Sequence, residues 1–238
     1  MQRAIVTGGT RGIGLAIARA IIANGGSVMV TGRTYETVDG VVRALTELSG
    51  DAARVSGAAV DARDARGAES LVAETVRRFG GLDVLVNNAG IGIMDEVASM
   101  SVADWDTVIG TNLSGVFYTT HAALPAMKQS GGGWILNIAS LAGRNYFPKG
   151  AAYCASKAGL VAFSESLMQE VRFDNIRVSV IMPGSVATEF GGSTVSADDS
   201  WKLAPEDVAE VVMDLLRHPT RSLPSKIEMR PSQPRKSS

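Results

Sequence analysis

The chain has 238 residues, of which 45% are hydrophobic and 20% are charged, and its formal net charge is −1. These values are ordinary for a globular protein, and the near-zero charge argues against a nucleic-acid partner. The single cysteine excludes an intramolecular disulfide, no apolar run reaches the roughly 20 residues that span a bilayer, and no residue cluster has metal-ligand spacing. We therefore expect a cytoplasmic enzyme with no metal site and no membrane or nucleic-acid partner.

Short β-branched runs alternate with longer helical stretches along the chain. The runs predicted as strands are Ala4–Thr7, Ser27–Thr31, Arg54–Val60, Val84–Asn87, Trp134–Ile138, Arg177–Ile181 and Lys226–Met229. The stretches predicted as helices are Ile13–Asn24, Glu36–Leu48, Ala65–Phe79, Thr111–Lys128, Tyr153–Arg172 and Pro205–Arg217. Such alternation builds right-handed β-α-β units. The sequence therefore predicts an α/β fold: a Rossmann-type, doubly wound parallel sheet of about seven strands with helices on both faces.

Two segments interrupt the alternation of strands and helices. Glu189–Ser200 is rich in Gly, Ser and Asp and predicts a mobile loop, and Pro231–Ser238 predicts a flexible polar tail. We interpret neither segment as a domain boundary. Residues 1–238 are therefore expected to form a single dinucleotide-binding and catalytic domain.

A glycine-rich loop joins the first predicted strand to the first predicted helix. It reads Thr7-Gly8-Gly9-Thr10-Arg11-Gly12-Ile13-Gly14. Glycines allow a tight turn and a close approach of phosphate to the backbone, and the free N–H groups that begin a helix attract anions. The spacing differs from the common dinucleotide-binding motif, and a glycine-rich turn without a ligand is the alternative. The position of the loop, after a first strand and before a helix, favours a pyrophosphate site.

Five further motifs follow the glycine loop. They are Asn87-Asn88-Ala89-Gly90, Asn112 in Thr111-Asn112-Leu113, Ser140 after Asn137-Ile138-Ala139, Tyr153-Cys154-Ala155-Ser156-Lys157, and Pro183-Gly184 with Thr188. With the glycine loop, these motifs resemble the short-chain dehydrogenase/reductase family, in its single-domain branch, over about residues 3–229. Each motif is weak alone, but six in one order and spacing are specific. Within the family the chain looks similar to 3-oxoacyl thioester reductases and carbonyl reductases.

The resemblance implies hydride transfer between a nicotinamide cofactor and a carbonyl or alcohol. It implies that the catalytic residues are Asn112, Ser140, Tyr153 and Lys157. The candidate cofactor-binding residues are Gly8, Thr10, Arg11, Gly12, Ile13, Gly14, Arg33, Asp61, Ala62, Asn88, Ala89, Gly90, Tyr153, Lys157, Pro183, Gly184, Val186 and Thr188. Asp61 resembles the family's adenine-contacting acid, and a helix-capping aspartate is the alternative. Asn88, Ala89 and Gly90 would line the adenosine ribose, whereas Asn87 is interpreted as structural.

Tyr153 and Lys157 lie four residues apart, so on a helix they share a face. A phenol has a pKa of about 10, and a nearby ammonium lowers that pKa by favouring the phenolate. Tyr153 would then exchange a proton with the substrate oxygen, while Ser140 donates a hydrogen bond to that oxygen. The family assigns Asn112 to a water-linked proton path behind Lys157. An ordinary surface pair of Tyr153 and Lys157 is the alternative, which the presence of Ser140 and Asn112 opposes.

The end of the second strand favours NADP(H) over NAD(H). An acid at this point would bind the ribose of NAD, but the strand ends in Gly32-Arg33, and Glu36 lies farther along. Arg33 can present a planar fork of donors to a phosphate, with Arg11 approaching from the glycine loop. The alternatives are an exposed charge for Arg11 and an ion pair with Glu36 for Arg33.

The leading hypothesis is an NADP(H)-dependent oxidoreductase that acts on a small-molecule carbonyl or alcohol. One alternative is an NAD-dependent alcohol or sugar-alcohol dehydrogenase, and another is a non-catalytic nicotinamide-binding sensor. The family commonly ends its last strand in a glycine-rich segment near subunit contacts, whereas Ile227-Glu228-Met229 runs into Arg230-Pro231 here. We expect a homo-dimer or homo-tetramer, although this ending weakens the case for the family's usual tetramer.

Overall fold

A computed structural model describes residues 2–192, 194 and 196–234. Seven parallel strands form one sheet in the order β3-β2-β1-β4-β5-β6-β7. The strands are β1 (Arg3–Val6), β2 (Ser27–Gly32), β3 (Val55–Ala59), β4 (Val84–Asn87), β5 (Gly133–Ile138), β6 (Ile176–Pro183) and β7 (Lys226–Met229). The α-helices of the described residues are α1 (Gly12–Ala23), α2 (Tyr35–Ser49), α3 (Ala65–Phe79), α4 (Val102–Ile109), α5 (Gly115–Gln129), α6 (Ala151–Val171) and α7 (Pro205–Arg217).

Both faces of the sheet are buried beneath helices. In β1, Ala4 and Val6 join the core packed against α1, α2 and α7, whereas Ile5 joins the core packed against α3, α5 and α6. Successive side chains of a strand point to opposite faces, so a strand covered on both sides needs a continuous apolar run. The doubly wound fold predicted from the sequence is confirmed.

Capping residues set several helix ends. Asp64 begins α3 by accepting a hydrogen bond from the Arg66 backbone at 3.0 Å. Gly50 and Gly80 end α2 and α3 in the left-handed conformation, with φ of 66° and 78°. These signals explain why most predicted elements agree with the structure within two residues at each end.

The start of one predicted helix is wrong. The helix expected over Thr111–Lys128 begins at Val102, where the Ser101 hydroxyl accepts a hydrogen bond from the Asp104 backbone at 3.0 Å. It continues from α4 through a π-helical turn, Gly110–Ser114, into α5. A π turn adds a residue without ending the helix, so it disturbs the 3.6-residue apolar period on which the prediction depends.

The segment predicted as a mobile loop, Glu189–Ser200, contains two short 3-10 turns in its described part, Phe190–Gly192 and Ala197–Asp199. Ser193 and Val195 lie outside the described residues, as do residues 235–238 of the predicted tail. The mobility of both segments stays a prediction. Across the part of the chain that is described, no helix combines the length and apolarity needed to cross a membrane.

Candidate active site

The carboxyl ends of the strands open into a cleft of about 1080 Å³. In the sheet, β1 lies between β2 and β4, so the chain winds outward from β1 in both directions. Open α/β sheets bind ligands at this switch point. The loops after β2 and β3 form one end of the cleft, the loop after β1 forms its middle, and the segments after β4, β5 and β6 form the other end.

The glycine loop after β1 has the backbone geometry that a pyrophosphate requires. Gly8 and Gly12 have φ of 62° and 52°, in the left-handed region that favours glycine. The residue that precedes α1, Arg11, does not cap the first turn with its side chain. The first N–H groups of α1 are therefore available to an anion.

Asn88 holds the glycine loop in place. Its side-chain amide donates hydrogen bonds to the backbone oxygens of Thr7 and Gly8, each at 3.0 Å. A Cβ at Gly14 would lie 2.4 Å from Nδ2 of Asn88 and 2.4 Å from the Gly8 oxygen. The side chain predicted to line the ribose is thus engaged with the loop, and Gly14 is required by close packing.

Replacing Gly14 with Ala should weaken binding of the expected nicotinamide dinucleotide by about tenfold or more, equal to about 1.4 kcal/mol. The added methyl group would displace Asn88 and with it the turn that presents the N–H groups of α1. Titration of nicotinamide fluorescence measures the dissociation constant. Gly40→Ala is the matched control, because among the described residues its added Cβ would meet no heavy atom within 4 Å apart from its chain neighbours and the backbone of its own helix. An unchanged dissociation constant in a folded Gly14→Ala protein would contradict this role.

The end of the cleft beside β2 and β3 carries Arg33, Asp61, Ala62 and Arg63. Asp61 forms an ion pair with Arg63 at 2.6 Å, and the hydrogen bonds from Arg63 lower the pKa of the Asp61 carboxyl. The alternative interpretation of Asp61 as a helix cap is wrong, since Asp64 caps α3. Within the described residues Arg33 is exposed and forms no ion pair, so the alternative pairing with Glu36 is also wrong.

Arg11 contacts the opposite wall of the cleft. Its Nη1 lies 3.4 Å from Oε2 of Glu189, and a Cβ at Gly12 would lie 3.2 Å from Cγ2 of Thr188. The glycine loop therefore meets the segment after β6. An exposed ion pair of this kind contributes about 0–1 kcal/mol, so a bound phosphate can replace Glu189 as the partner of Arg11.

Ser140, Tyr153 and Lys157 lie together at the other end of the cleft. The Ser140 hydroxyl donates a hydrogen bond to the Pro183 oxygen at 3.5 Å and accepts one from the Ala142 backbone at 3.1 Å. The Nζ atom of Lys157 lies 5.9 Å from the centre of the Tyr153 ring and donates a hydrogen bond to the Ile138 oxygen at 2.9 Å. The helical spacing and the strand that ends before Ser140 thus bring these three side chains together as predicted.

Burial sets the direction in which the pKa values of Tyr153 and Lys157 shift. It raises the pKa of the Tyr153 phenol above its ordinary value, and the hydrogen bond with Ser140 only partly opposes this effect. The prediction that this pKa lies below its ordinary value is therefore wrong, because desolvation outweighs every effect that favours the phenolate. Burial also lowers the pKa of Lys157 to about 8, because desolvation disfavours the ammonium.

Asn112 is fully buried in the π turn. Its Oδ1 accepts a hydrogen bond from the Ile91 backbone at 2.8 Å, and its Nδ2 donates to the Ile91 oxygen at 2.9 Å and to Oγ of Ser156 at 3.0 Å. Ser156 precedes Lys157 on α6. The Asn112 side chain therefore fixes the segment after β4 against the helix that carries Lys157, and π turns recur at functional sites.

Asn87 is structural, as predicted. Its side-chain amide donates to Oδ1 of Asn137 at 2.8 Å, which ties β4 to β5, and its Oδ1 accepts from the Thr119 hydroxyl at 2.6 Å. The other three residues of the motif, Asn88, Ala89 and Gly90, line the cleft. The remaining predicted cofactor-binding residues that line the cleft are Gly8, Thr10, Gly12, Ile13, Pro183, Gly184, Val186 and Thr188, whereas Gly14 is not among the lining residues.

Two apolar side chains at the catalytic end carry no sequence motif. The ring of Phe190 lies 5.6 Å from the ring of Tyr153, centre to centre. A Cβ at Gly92 would lie 2.8 Å from Cε1 of Phe190 and 3.1 Å from Cε of Met94. The only sequence signal for Phe190 is its place in the predicted loop, because its contacts come from segments about 37 and 98 residues away along the chain.

Comparisons with known proteins agree with this geometry. A family model described as short chain dehydrogenase matches residues 2–199. The 3-oxoacyl-(acyl-carrier-protein) reductase of Chlamydia pneumoniae is 36% identical over 226 residues, which cover 90% of this chain and 89% of that protein. An alcohol dehydrogenase from Thermococcus sibiricus, complexed with 5-hydroxy-NADP, has a TM-score of 0.91 and 29% identity, with 100% of both chains covered. A metagenomic short-chain oxidoreductase in complex with NADP has a TM-score of 0.84 and 35% identity, with 98% of both chains covered.

Proposed function

The chain belongs to the short-chain dehydrogenase family, as an enzyme that acts on CH–OH or C=O groups, and we propose that it uses NADP(H) with Tyr153 as the general acid and base. The observation that carries the proposal is the shared cleft: Ser140, Tyr153 and Lys157 lie at one end and Arg33 at the other. The proposal treats the described sheet and its loops as one dinucleotide-binding and catalytic domain. A homo-dimer or homo-tetramer stays a prediction.

The residues of the cleft fit both the pyrophosphate and the additional phosphate of NADP(H). The left-handed glycines and the uncapped start of α1 suit the pyrophosphate, and Arg33 suits the additional phosphate. Pro183 and Gly184 would lie against the nicotinamide, and Lys157 would reach its ribose. When bound, the nicotinamide supplies a hydride to the carbonyl carbon or accepts one from the alcohol.

Tyr153 handles the proton of the reaction. In reduction, its hydroxyl donates a proton to the carbonyl oxygen as the carbon receives the hydride, so the product is the alcohol and the side chain becomes a phenolate. In oxidation, the phenolate takes the alcohol proton. Ser140 donates a hydrogen bond to the same substrate oxygen, where negative charge develops during reduction. The raised pKa of the phenol keeps Tyr153 protonated at neutral pH, which suits reduction.

Lys157 stabilises the phenolate that reduction leaves behind. Its hydrogen bond to the Ile138 oxygen fixes the ammonium near the Tyr153 ring in a buried setting. Charges interact more strongly there than in water, so the ammonium favours the phenolate. Above pH 8 the ammonium loses its proton, and this support disappears.

Turnover distinguishes the proposal from its alternatives. Absorbance of the reduced nicotinamide, followed with an activated ketone and with each cofactor, measures reduction directly. We expect reduction with NADPH. A protein that binds NADPH with micromolar affinity but reduces no ketone would be the sensor, and one that only oxidises alcohols with NAD would be the dehydrogenase.

The cofactor preference should depend on Arg33. We expect kcat/KM with NADPH to exceed that with NADH by about ten- to hundredfold, because a hydrogen bond to a charged group is worth about 1.5–3 kcal/mol. Arg33→Ala should bring this ratio close to one. Arg43→Ala is the control, since Arg43 lies on α2 and pairs with Asp39. A wild-type ratio at or below one would refute the assignment.

A reversed preference needs an acid at position 33. Gly32→Asp would place its Cβ 2.6 Å from Cγ2 of Thr10, inside the glycine loop. Arg33→Asp adds the carboxylate without that clash and should lower the NADPH-to-NADH ratio below that of Arg33→Ala, since it repels the extra phosphate.

A further inference from the structure

The catalytic end of the cleft has an apolar wall that the proton-transfer chemistry does not use. The wall consists of Phe190 and Met94, two large apolar side chains that are 39% and 45% exposed. Both line the cleft beside Tyr153. A ligand that covers exposed apolar side chains inside a cleft removes them from water, and this burial contributes favourably to the free energy of binding.

Gly92 gives this wall its shape. A Cβ at this position would lie 2.8 Å from Phe190 and 3.1 Å from Met94, although the Gly92 backbone has no left-handed φ that would itself require glycine. The absent side chain lets the Phe190 ring lie over the segment after β4. The ring therefore stands beside Tyr153, where a substrate carbonyl would be held.

The charges of the cleft are placed away from this wall or are already paired. The charged side chains that line the cleft are Arg11, Arg33, Asp61, Arg63, Lys157, Glu189 and Lys202. Arg33, Asp61 and Arg63 come from the loops after β2 and β3, at the far end. Arg11 pairs with Glu189 at 3.4 Å, and Lys202 pairs with Asp199 at 2.6 Å.

Lys157 is the remaining cation of this set, and its Nζ is directed to the Ile138 oxygen at 2.9 Å. A substrate carboxylate beside the wall would have to compete with Glu189 for Arg11, with Asp199 for Lys202, or with the Ile138 oxygen for Lys157. Glu189, next to Phe190 in the chain, would repel it. Each of these competitions reduces the compensation for the hydration that an anion loses, which disfavours its binding.

We propose that the substrate is an uncharged ketone or secondary alcohol with an apolar ring, which packs on Phe190 while its oxygen meets Ser140 and Tyr153. This inference rests on the proposed function. It makes Phe190 a specificity-determining residue for that reaction. Aromatic rings prefer offset or tilted contacts with one another, and the exposed ring of Phe190 offers such a contact.

Three ketones separate the effects of the ring and of the charge. Ethyl benzoylformate and ethyl pyruvate share an ester-activated ketone and differ in a phenyl against a methyl group. Benzoylformate keeps the ring and replaces the ester with a carboxylate. With saturating NADPH, we expect kcat/KM for ethyl benzoylformate to be about tenfold higher than that for ethyl pyruvate and about a hundredfold higher than that for benzoylformate.

Variants then assign the ring preference to Phe190. The ratio of kcat/KM for ethyl benzoylformate to that for ethyl pyruvate should fall about tenfold in Phe190→Ala, because that variant removes the surface on which the ring packs. The ratio cancels any loss of activity shared by both ketones. Gly92→Ala, which displaces the Phe190 ring, should lower the same ratio. Phe173→Ala is the control, since Phe173 is 91% exposed after α6, before the amino end of β6, and should leave the ratio unchanged.

Different failures lead to different conclusions. If the protein reduces ethyl pyruvate but shows no ring preference, or if Phe190→Ala keeps the wild-type ratio, this inference is wrong and the proposed function stands. Equal kcat/KM values for benzoylformate and its ethyl ester would likewise contradict the inference that the substrate is uncharged. If none of the three ketones is reduced with either cofactor, the proposed function falls and this inference falls with it.

Discussion

Tyr153→Phe should reduce kcat for ketone reduction by about 10²–10⁴-fold, the range typical of a lost general acid. The substitution removes one hydroxyl and keeps the ring, so its packing beside Phe190 is preserved. The carbonyl oxygen would then have to take its proton from water instead of from a side chain that the fold holds in place. Single-turnover kinetics with NADPH measure the loss, and nicotinamide fluorescence should show cofactor affinity within about threefold of wild type, or less than about 0.7 kcal/mol.

Tyr146→Phe is the matched control for this prediction. It makes the same chemical change at a tyrosine that is 71% exposed on the segment between Ser140 and α6. We expect it to keep the wild-type rate. A Tyr153→Phe protein that retains more than about a tenth of the wild-type rate would be incompatible with the proton transfer described above.

Lys157→Met should lower the rate of alcohol oxidation at pH 7 by at least about tenfold, and this deficit should shrink as the pH rises through about 8, where the wild-type ammonium itself loses its proton. Oxidation needs the phenolate of Tyr153, whose pKa is already raised by burial. While Lys157 is charged it favours the phenolate, so below pH 8 the variant holds less phenolate than the wild type. Initial rates of alcohol oxidation between pH 6 and pH 10 check this. Overlaid profiles of the variant and the wild type would show that the two side chains are not coupled.

The free energy of unfolding of Lys157→Met should depend on pH in a different way from its activity. The folded-state pKa of Lys157, about 8, lies below the ordinary value of 10.5, so the folded protein binds fewer protons than the unfolded chain between these pH values. The wild type should therefore gain stability relative to Lys157→Met as the pH rises through this window. Below pH 8 the buried ammonium costs about 3 kcal/mol. Denaturant unfolding at several pH values measures the difference, with the exposed Lys128→Met as control.

The sequence was sufficient for features that depend on local patterns. Alternating apolar runs and helical stretches predicted the seven-stranded parallel sheet, because a strand buried on both faces and an amphipathic helix each have their own period. The glycine loop and the four-residue spacing of Tyr153 and Lys157 likewise follow from backbone freedom and helix geometry. Their order along the chain indicated the family before any contact between them was known.

The tertiary structure decided the features that depend on burial and on contacts between distant segments. The raised pKa of Tyr153 follows from desolvation, which no local pattern measures. The π turn at Asn112 is held by Ile91 and Ser156, and the glycine loop is held by Asn88, in each case from a separate segment. The apolar wall likewise forms only where Phe190 meets Gly92 and Tyr153. Sequence periodicity reports which side of an element faces the core, whereas these contacts depend on which elements the completed fold brings together.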